Sequence, residues 1–310
     1  MKYHRLGRTS LEVSTLGFGA SPLGNVFGNT SLADDERAVA TAIDLGINFF
    51  DVSPYYGLTL AEQRLGTAFA NRRNQVILAT KCGRYGLSKF DFSAKGIRSG
   101  FEASLARLKT DHVDLLQVHD VEFASTEQVI QETIPAMREL QMEGKTRFIG
   151  ITGYPVKLLT RIAREVEVDT VLSYCRYNLM NTDMDDVLTP FTCEQNIGLI
   201  NASPLLMGIL TNRGAPEWHL ASNEIKEAAK RATEVAVKHG IDISTLALQF
   251  SLAHPSVAST LIGMATAEEV KTNVLSAENA LDLSLVSEVK KAIGEGFAST
   301  WPSGLPEHWD

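Results

Sequence analysis

Eight times along its 310 residues this chain passes through a short β-branched or apolar run and then into a stretch with helical periodicity. The runs are TLGFGA (15–20), NFFDVS (48–53), VILATKC (76–82), VDLLQVHD (113–120), TRFIGIT (146–152), TVLSYC (170–175), GLINAS (198–203) and STLIGM (259–264). Continuous apolar runs suit strands buried on both faces, as in a parallel sheet covered by helices. Between them, Ile97, Phe101, Leu105 and Leu108 repeat at helical spacing behind Ser93, and STEQ (125–128) has the form of a capping box. Eight βα units predict an α/β fold of the (β/α)8 TIM-barrel type, with an open doubly wound sheet as the alternative. The long gap before the eighth run holds two helical patterns, NEIKEAAKRATEVAVKHG and STLALQFSLA, and so predicts an insertion. Outside the units, YHRLGRTSLEVS reads as an N-terminal β-hairpin and 284–296 as an extra C-terminal helix. No low-complexity linker or repeat divides the chain, and 44% hydrophobic residues can fill one large core, so residues 1–310 are expected to form a single domain.

A net charge of −8 argues against a nucleic-acid partner or an anionic membrane surface, since either needs clustered Lys and Arg. Cys82, Cys175 and Cys193 show no metal-ligand or disulfide spacing, so no metal site is expected and free thiols point to a reducing compartment. The opening MKYHRLGRTS lacks an apolar signal core, and no run is long enough to span a bilayer. A cytoplasmic location follows as an expectation.

In a parallel barrel, function gathers at the C-terminal ends of the strands. The second run delivers Asp51, with Tyr56 just beyond; the third delivers Lys81; the fourth delivers His119. Each alone has a structural reading, as a turn cap, a packed ring, a solvated strand end or a core histidine. Together they bring a proton relay to one rim. A lysine ammonium about 4 Å from a phenol, at an effective dielectric near 20, favours the phenolate by roughly 4 kcal/mol before desolvation takes some back. Lys81 would activate Tyr56, Asp51 would hold Lys81, and His119 would hold a substrate oxygen. Such a relay pairs naturally with a hydride carrier. The glycine-rich GFGASPLG (17–24) matches neither a dinucleotide fingerprint nor a P-loop and reads as a tight loop.

The segments NFFDVSPYYG, ATKCG, LLQVHD, RFIGIT, ASPLLMGILT and LIGMATAEEVKTNV, in this order and spacing, resemble the aldo-keto reductase superfamily. GFGASPLGNVFG, TKCGRYG and LQVHDVEF are most similar to its plant-type sugar 1-dehydrogenases that act on L-galactose. The resemblance implies a barrel that binds extended NAD without a Rossmann motif, with Asp51, Tyr56, Lys81 and His119 as catalytic tetrad. It places Gly19, Ser203, Leu205 and Gly208 around the cofactor. It also marks departures: Thr152 and Gly153 stand where Ser-Asn is common, Tyr174 where glutamine is usual, and Ala202 where a tyrosine stacks on nicotinamide. After the eighth strand, counting back from Asn273, Gly263 and Glu269 replace the basic residues that hold an NADP 2′-phosphate. Thr266 and Glu269 also form a capping box, a reading about as good as ribose binding.

The implied activity is NAD-dependent oxidation of C1 of a free aldose, of L-galactose or L-fucose type, to the aldonolactone. Alternatives are a broad NADPH-dependent aldehyde or ketone reductase and, in a different class, a cofactor-binding regulatory subunit. Phe27, Tyr55, Arg84, Tyr85 and Asp120 form the candidate sugar pocket, where aromatic faces would cover C–H patches and charged groups take hydroxyls. Trp301 and Trp309 are expected to pack on the barrel or close over the sugar. The partners expected are a small-molecule sugar and, as monomer or small homo-oligomer, at most copies of the chain itself.

Overall fold

The structure, a computed structural model, describes residues 1–69 and 71–310. Two short strands, β1 (Tyr3–Arg5) and β2 (Glu12–Ser14), form the antiparallel hairpin expected from YHRLGRTSLEVS. Eight parallel strands follow: β3 (Leu16–Gly19), β4 (Phe49–Asp51), β5 (Ile77–Cys82), β6 (Val113–Val118), β7 (Thr146–Gly153), β8 (Thr170–Tyr174), β9 (Gly198–Ala202) and β10 (Ser259–Gly263). They close into a barrel in chain order, β10 pairing with both β9 and β3. The barrel reading therefore holds over the open sheet, and each of the eight apolar runs marks one of its strands, with β7 alone reaching one residue past its run, to Gly153.

The helical layer is α1 (Leu32–Asp44), α2 (Leu60–Phe69), α3 (Ala94–Leu108), α4 (Thr126–Gln128), α5 (Ile134–Met142), α6 (Val156–Glu165), α7 (Met184–Glu194), α8 (Asn223–Lys238), α9 (Ile243–Leu252), α10 (Ala267–Glu278) and α11 (Leu283–Ile293). Ser93 caps α3 by accepting from the Gly96 N–H at 3.1 Å, and Ile97, Phe101, Leu105 and Leu108 are its buried stripe. Ser125 caps α4 in the same way, but the helix then widens into a π turn over Val129–Thr133. Pro135 follows that turn and has no N–H for the carbonyl four residues back, so the regular ladder cannot run through it. The inserted helix is α8, whose Ile225, Ala228, Ala229 and Ala232 pack in one apolar cluster with Leu285, Val286 and Val289 of α11. The C-terminal helix and the insertion thus support each other on one flank of the barrel.

The hairpin seals the N-terminal end. Leu6, Leu11 and Val13 are buried with Phe49, Leu115, Leu172 and Leu261 of the barrel interior. Truncating a core leucine such as these typically costs about 2–5 kcal/mol. With one end plugged, the open end is the one where the strands terminate.

Candidate active site

Strands β4, β5 and β6 are neighbours in register, Asp51 against Ala79 and Lys81 against Gln117. That alignment brings three polar side chains to one buried point. Lys81 Nζ donates to Asp51 Oδ1, to Val52 O at 3.1 Å and to the Tyr56 hydroxyl at 3.3 Å. The other carboxylate oxygen of Asp51 accepts from Gln117 Nε2 at 2.9 Å. Asp51 is thus fully engaged, and Lys81 is held toward the tyrosine.

Tyr56 owes its position to a close approach of two loops. Gly57 has φ 60°, and a Cβ there would lie 2.2 Å from Gly24 O, while one on Gly24 would lie 2.7 Å from the Tyr56 carbonyl carbon. Only glycines let the loops after β3 and β4 interlock this way. The Tyr56 ring stands edge-on to His119 with centroids 5.6 Å apart. Because its oxygen accepts from Lys81, its own proton is available to a ligand.

Burial raises the Tyr56 pKa, and this outweighs the lowering by Lys81. The direction is opposite to that expected from the lysine charge alone, because desolvation disfavours the phenolate more than one ammonium favours it. Burial alone would lower Lys81, but Asp51 and then Tyr56 outweigh it, so the ammonium stays protonated. His119 is pushed down to about 3, by burial first and also by Lys81 and Arg84, and is neutral. Its Nδ1 lies 2.8 Å from Ser53 Oγ, which already accepts from the Tyr55 N–H at 3.0 Å. The Ser53 hydroxyl proton is therefore free to go to Nδ1, which places the imidazole proton on Nε2.

Of the sugar-pocket candidates, Tyr55, Arg84 and Asp120 come together. The Arg84 guanidinium lies 3.9 Å from the Tyr55 ring centroid and bonds the Asp120 carboxylate, which is 3.6 Å from His119 Nε2. Tyr85 is not part of this group, since its hydroxyl donates to Gly96 O in α3 at 3.0 Å. Phe27 is half-exposed and meets Trp218 at 5.7 Å, joining the loops after β3 and β9.

The cofactor candidates fall on the other side of the rim. Gly19 and Gly263 are paired at the ends of β3 and β10, and the Ser203 N–H bonds Leu261 O at 3.2 Å. Ser203, Leu206, Met207 and Gly208 all have left-handed φ, at 58°, 51°, 50° and 100°. Three of these are not glycine, each held at a cost of about 1 kcal/mol or more, and the Leu206 and Gly208 N–H groups close the turn on the Ser203 and Leu205 carbonyls at 2.9 and 3.0 Å. This loop, with the half-buried Leu205 and Gly208, is the one the family resemblance sets around a cofactor. Thr152 is less open: its hydroxyl accepts from the Asp120 N–H at 3.1 Å. Thr266 Oγ1 accepts from the Glu269 N–H and so caps α10, while Glu269 Oε2 reaches back one residue beyond the cap to the Ala265 N–H at 2.7 Å, in place of the reciprocal bond of a capping box. Asn273 lies half-buried further along that helix.

Glu122, which was not among the residues singled out from the sequence, is fully buried three residues beyond His119. Its Oε1 accepts from Tyr174 Oη at 3.0 Å, Ser303 Oγ at 3.0 Å and the Tyr154 N–H at 3.2 Å. Its backbone oxygen holds Leu305 N–H and His308 Nδ1, and a Cβ on Gly304 would sit 2.2 Å from it. The residue thus ties Tyr174 and the C-terminal segment to the rim. Trp301 stacks on Tyr154 at 5.0 Å and is buried, whereas Trp309 is exposed. The only sequence signal was its setting, an acid inside the apolar VEFA.

Burial, then Asp120, raises Glu122 to about 8. Between the ordinary carboxylate range and pH 8 the folded protein keeps a proton that the unfolded chain releases, so this group's stabilisation is lost as pH rises. His119 acts oppositely in acid. Glu122→Gln should flatten the fall of Tm between about pH 5 and pH 8 relative to the unaltered protein. Parallel Tm profiles for the two proteins would show that Glu122 does not carry this proton.

A sealed parallel barrel with a lysine, a tyrosine and a neutral histidine gathered at its open rim is the architecture of barrel enzymes that move a proton at that rim. The pattern describing the Aldo/keto reductase family matches residues 15–293, and the chain belongs to that family. It is 46% identical to L-galactose dehydrogenase of Arabidopsis thaliana over 98% of each chain. It is also 29% identical to D-arabinose 1-dehydrogenase of Saccharomyces cerevisiae, over 87% of this chain and 88% of the relative. Among solved structures, an aldo-keto reductase from Bacillus halodurans in its holo form superposes with a TM-score of 0.80 at 28% identity, covering 100% of both chains. The chain is thus an oxidoreductase of aldo-keto reductase type, a family that works with nicotinamide cofactors. Among the described residues, no helix is long and apolar enough to cross a membrane.

Proposed function

We propose that this chain, acting as one domain, oxidises C1 of a free aldose of the L-galactose type, L-fucose included, to the aldonolactone with NAD. The observation that carries this reading is the Tyr56 hydroxyl, held by Lys81 at 3.3 Å beside a neutral His119. The relatives reported above, sugar dehydrogenases by name, support the substrate class. Nicotinamide, which the loops after β3, β9 and β10 around Gly19, Ser203 and Gly263 would hold, would supply the two-electron acceptor for the C1 hydrogen. Tyr56, as phenolate, takes the proton of O1, and Lys81 stabilises the phenolate. His119 donates Nε2–H to O1 and keeps its own proton throughout. In carbonyl reduction Tyr56 serves as the acid with the same contacts.

A spectrophotometric screen of L- and D-aldoses with NAD and NADP tests the proposal. L-Galactose should reduce NAD, L-fucose comparably or less, and D-glucose little. Turnover confined to simple aldehydes would sink the sugar reading.

NAD preference rests on the acid at the head of α10. At roughly 6 Å and an effective dielectric near 40, Glu269 facing a doubly charged 2′-phosphate costs about 2–3 kcal/mol, more than tenfold in affinity. Glu269→Arg should improve NADP use, and it should also lower Tm slightly, because the bond to the Ala265 N–H is lost. Equal efficiency of the unaltered enzyme with both cofactors would count against the assignment.

A further inference from the structure

In a strand, consecutive side chains point to opposite faces. His119 and Asp120 do not. Asp120 sits in the left-handed region at φ 54° and ψ 65°, with its N–H fixed on Thr152 Oγ1. This single turn brings its carboxylate to the same spot as the preceding imidazole, with Oδ2 3.6 Å from His119 Nε2. Asp120 is 5% exposed, so the carboxylate is nearly stripped of water.

Two features define what this carboxylate can receive. It accepts hydrogen bonds and gives none, so a ligand must bring a donor. Beside it, Arg84 bonds Asp120 through Nη1, is held over the Tyr55 ring, and has a buried Nε with no partner among the described residues. A hydroxyl can give its proton to Asp120 while offering its lone pairs to a guanidinium N–H. An oxygen held by His119 Nε2 at an ordinary N–H···O distance of about 2.9 Å puts the oxygen on the adjacent carbon within reach of an acceptor next to that nitrogen. If O1 lies at Nε2, the adjacent oxygen is O2.

We infer that Asp120, braced by Arg84, is the specificity-determining residue for the C2 hydroxyl, an assignment that rests on the sugar-dehydrogenase reading above. The substrate class narrows to aldoses that carry a free 2-hydroxyl. A 2-deoxy sugar, or an aldehyde with no neighbouring hydroxyl, covers the carboxylate without giving a donor to the acceptor positions that Arg84 leaves open. A site built to bond a hydroxyl rejects the analogue lacking it far more strongly than an apolar pocket rejects a missing methylene.

The experiment compares kcat/KM for L-galactose and 2-deoxy-L-galactose, both with NAD, in the unaltered enzyme, Asp120→Asn and Asp120→Ala. The unaltered enzyme should prefer L-galactose by at least about a hundredfold, and the ratio should fall by tenfold or more in Asp120→Ala and by less in Asp120→Asn, whose amide oxygen still accepts. A ratio near one in the unaltered enzyme overturns the inference while leaving sugar oxidation standing. So does a large ratio that survives in Asp120→Ala. If no aldose is oxidised at all, the underlying reading fails and takes this assignment with it. Should Asp120→Ala not fold, Asp120→Leu takes its place as the variant without an acceptor, and the ratio in the unaltered enzyme decides independently.

Discussion

Replacing Tyr56 with phenylalanine is expected to lower sugar turnover at least about a hundredfold, with NAD affinity little changed. The substitution removes one oxygen and leaves the ring edge-on to His119, so packing is kept while the proton position is lost. Burial raises the Tyr56 pKa, so the phenolate needed for oxidation forms only as pH climbs. Sugar oxidation by the unaltered enzyme should therefore accelerate from neutral into alkaline solution, and carbonyl reduction should slow over the same range. Near-normal turnover in Tyr56→Phe, or an oxidation rate indifferent to pH when chemistry limits it, would remove Tyr56 from the relay. Tyr55→Phe is the control. Its ring lies under Arg84 rather than against Lys81, and its effect should fall mainly on KM.

Lys81→Met should abolish most turnover and also destabilise the fold. Lys81 and Asp51 are an ion pair with both side chains almost wholly buried. Removing one member of such a pair leaves a desolvated charge and costs about 3–5 kcal/mol, whereas removing both is far milder. The double variant Asp51→Leu/Lys81→Met should therefore regain much of the Tm lost by Lys81→Met while staying inactive. Thermal unfolding of the three proteins checks this. A double variant no more stable than Lys81→Met would mean that the unpaired Asp51 is not the source of the loss.

The barrel was legible because both-face burial writes strands as unbroken apolar runs, and NFFDVS or VDLLQVHD hardly permits another reading. Strand ends then located Asp51, Lys81 and His119 without any three-dimensional information. What periodicity could not supply was contact between distant segments. Glu122 meets Ser303 across 181 positions, and no local pattern distinguishes that acid from a solvated one. Ser53 and Gln117 were missed for a similar reason: each is an ordinary strand or turn residue until the neighbouring strand sets it against His119 or Asp51. Tyr85 shows the converse error. Its place just past a strand end suggested the pocket, but a tyrosine there can equally lie back on the next helix, where the Gly96 carbonyl takes its hydroxyl. For Tyr56, the sign of the pKa shift depended on how completely the ring is buried, a quantity that spacing does not carry.

The seam between β3 and β10 has a consequence for how the protein is made. The strand at Leu16–Gly19 leaves the ribosome early, and one of its two partners, Ser259–Gly263, is translated about 240 residues later. At roughly 5–20 residues per second, that interval is on the order of ten to fifty seconds. Throughout it, the growing sheet has an open edge at β3 and another at its newest strand, each offering unpaired amides and carbonyls to other chains. The nascent protein is accordingly most prone to aggregate just before its last strand arrives, and its demand for chaperones should be concentrated in that window.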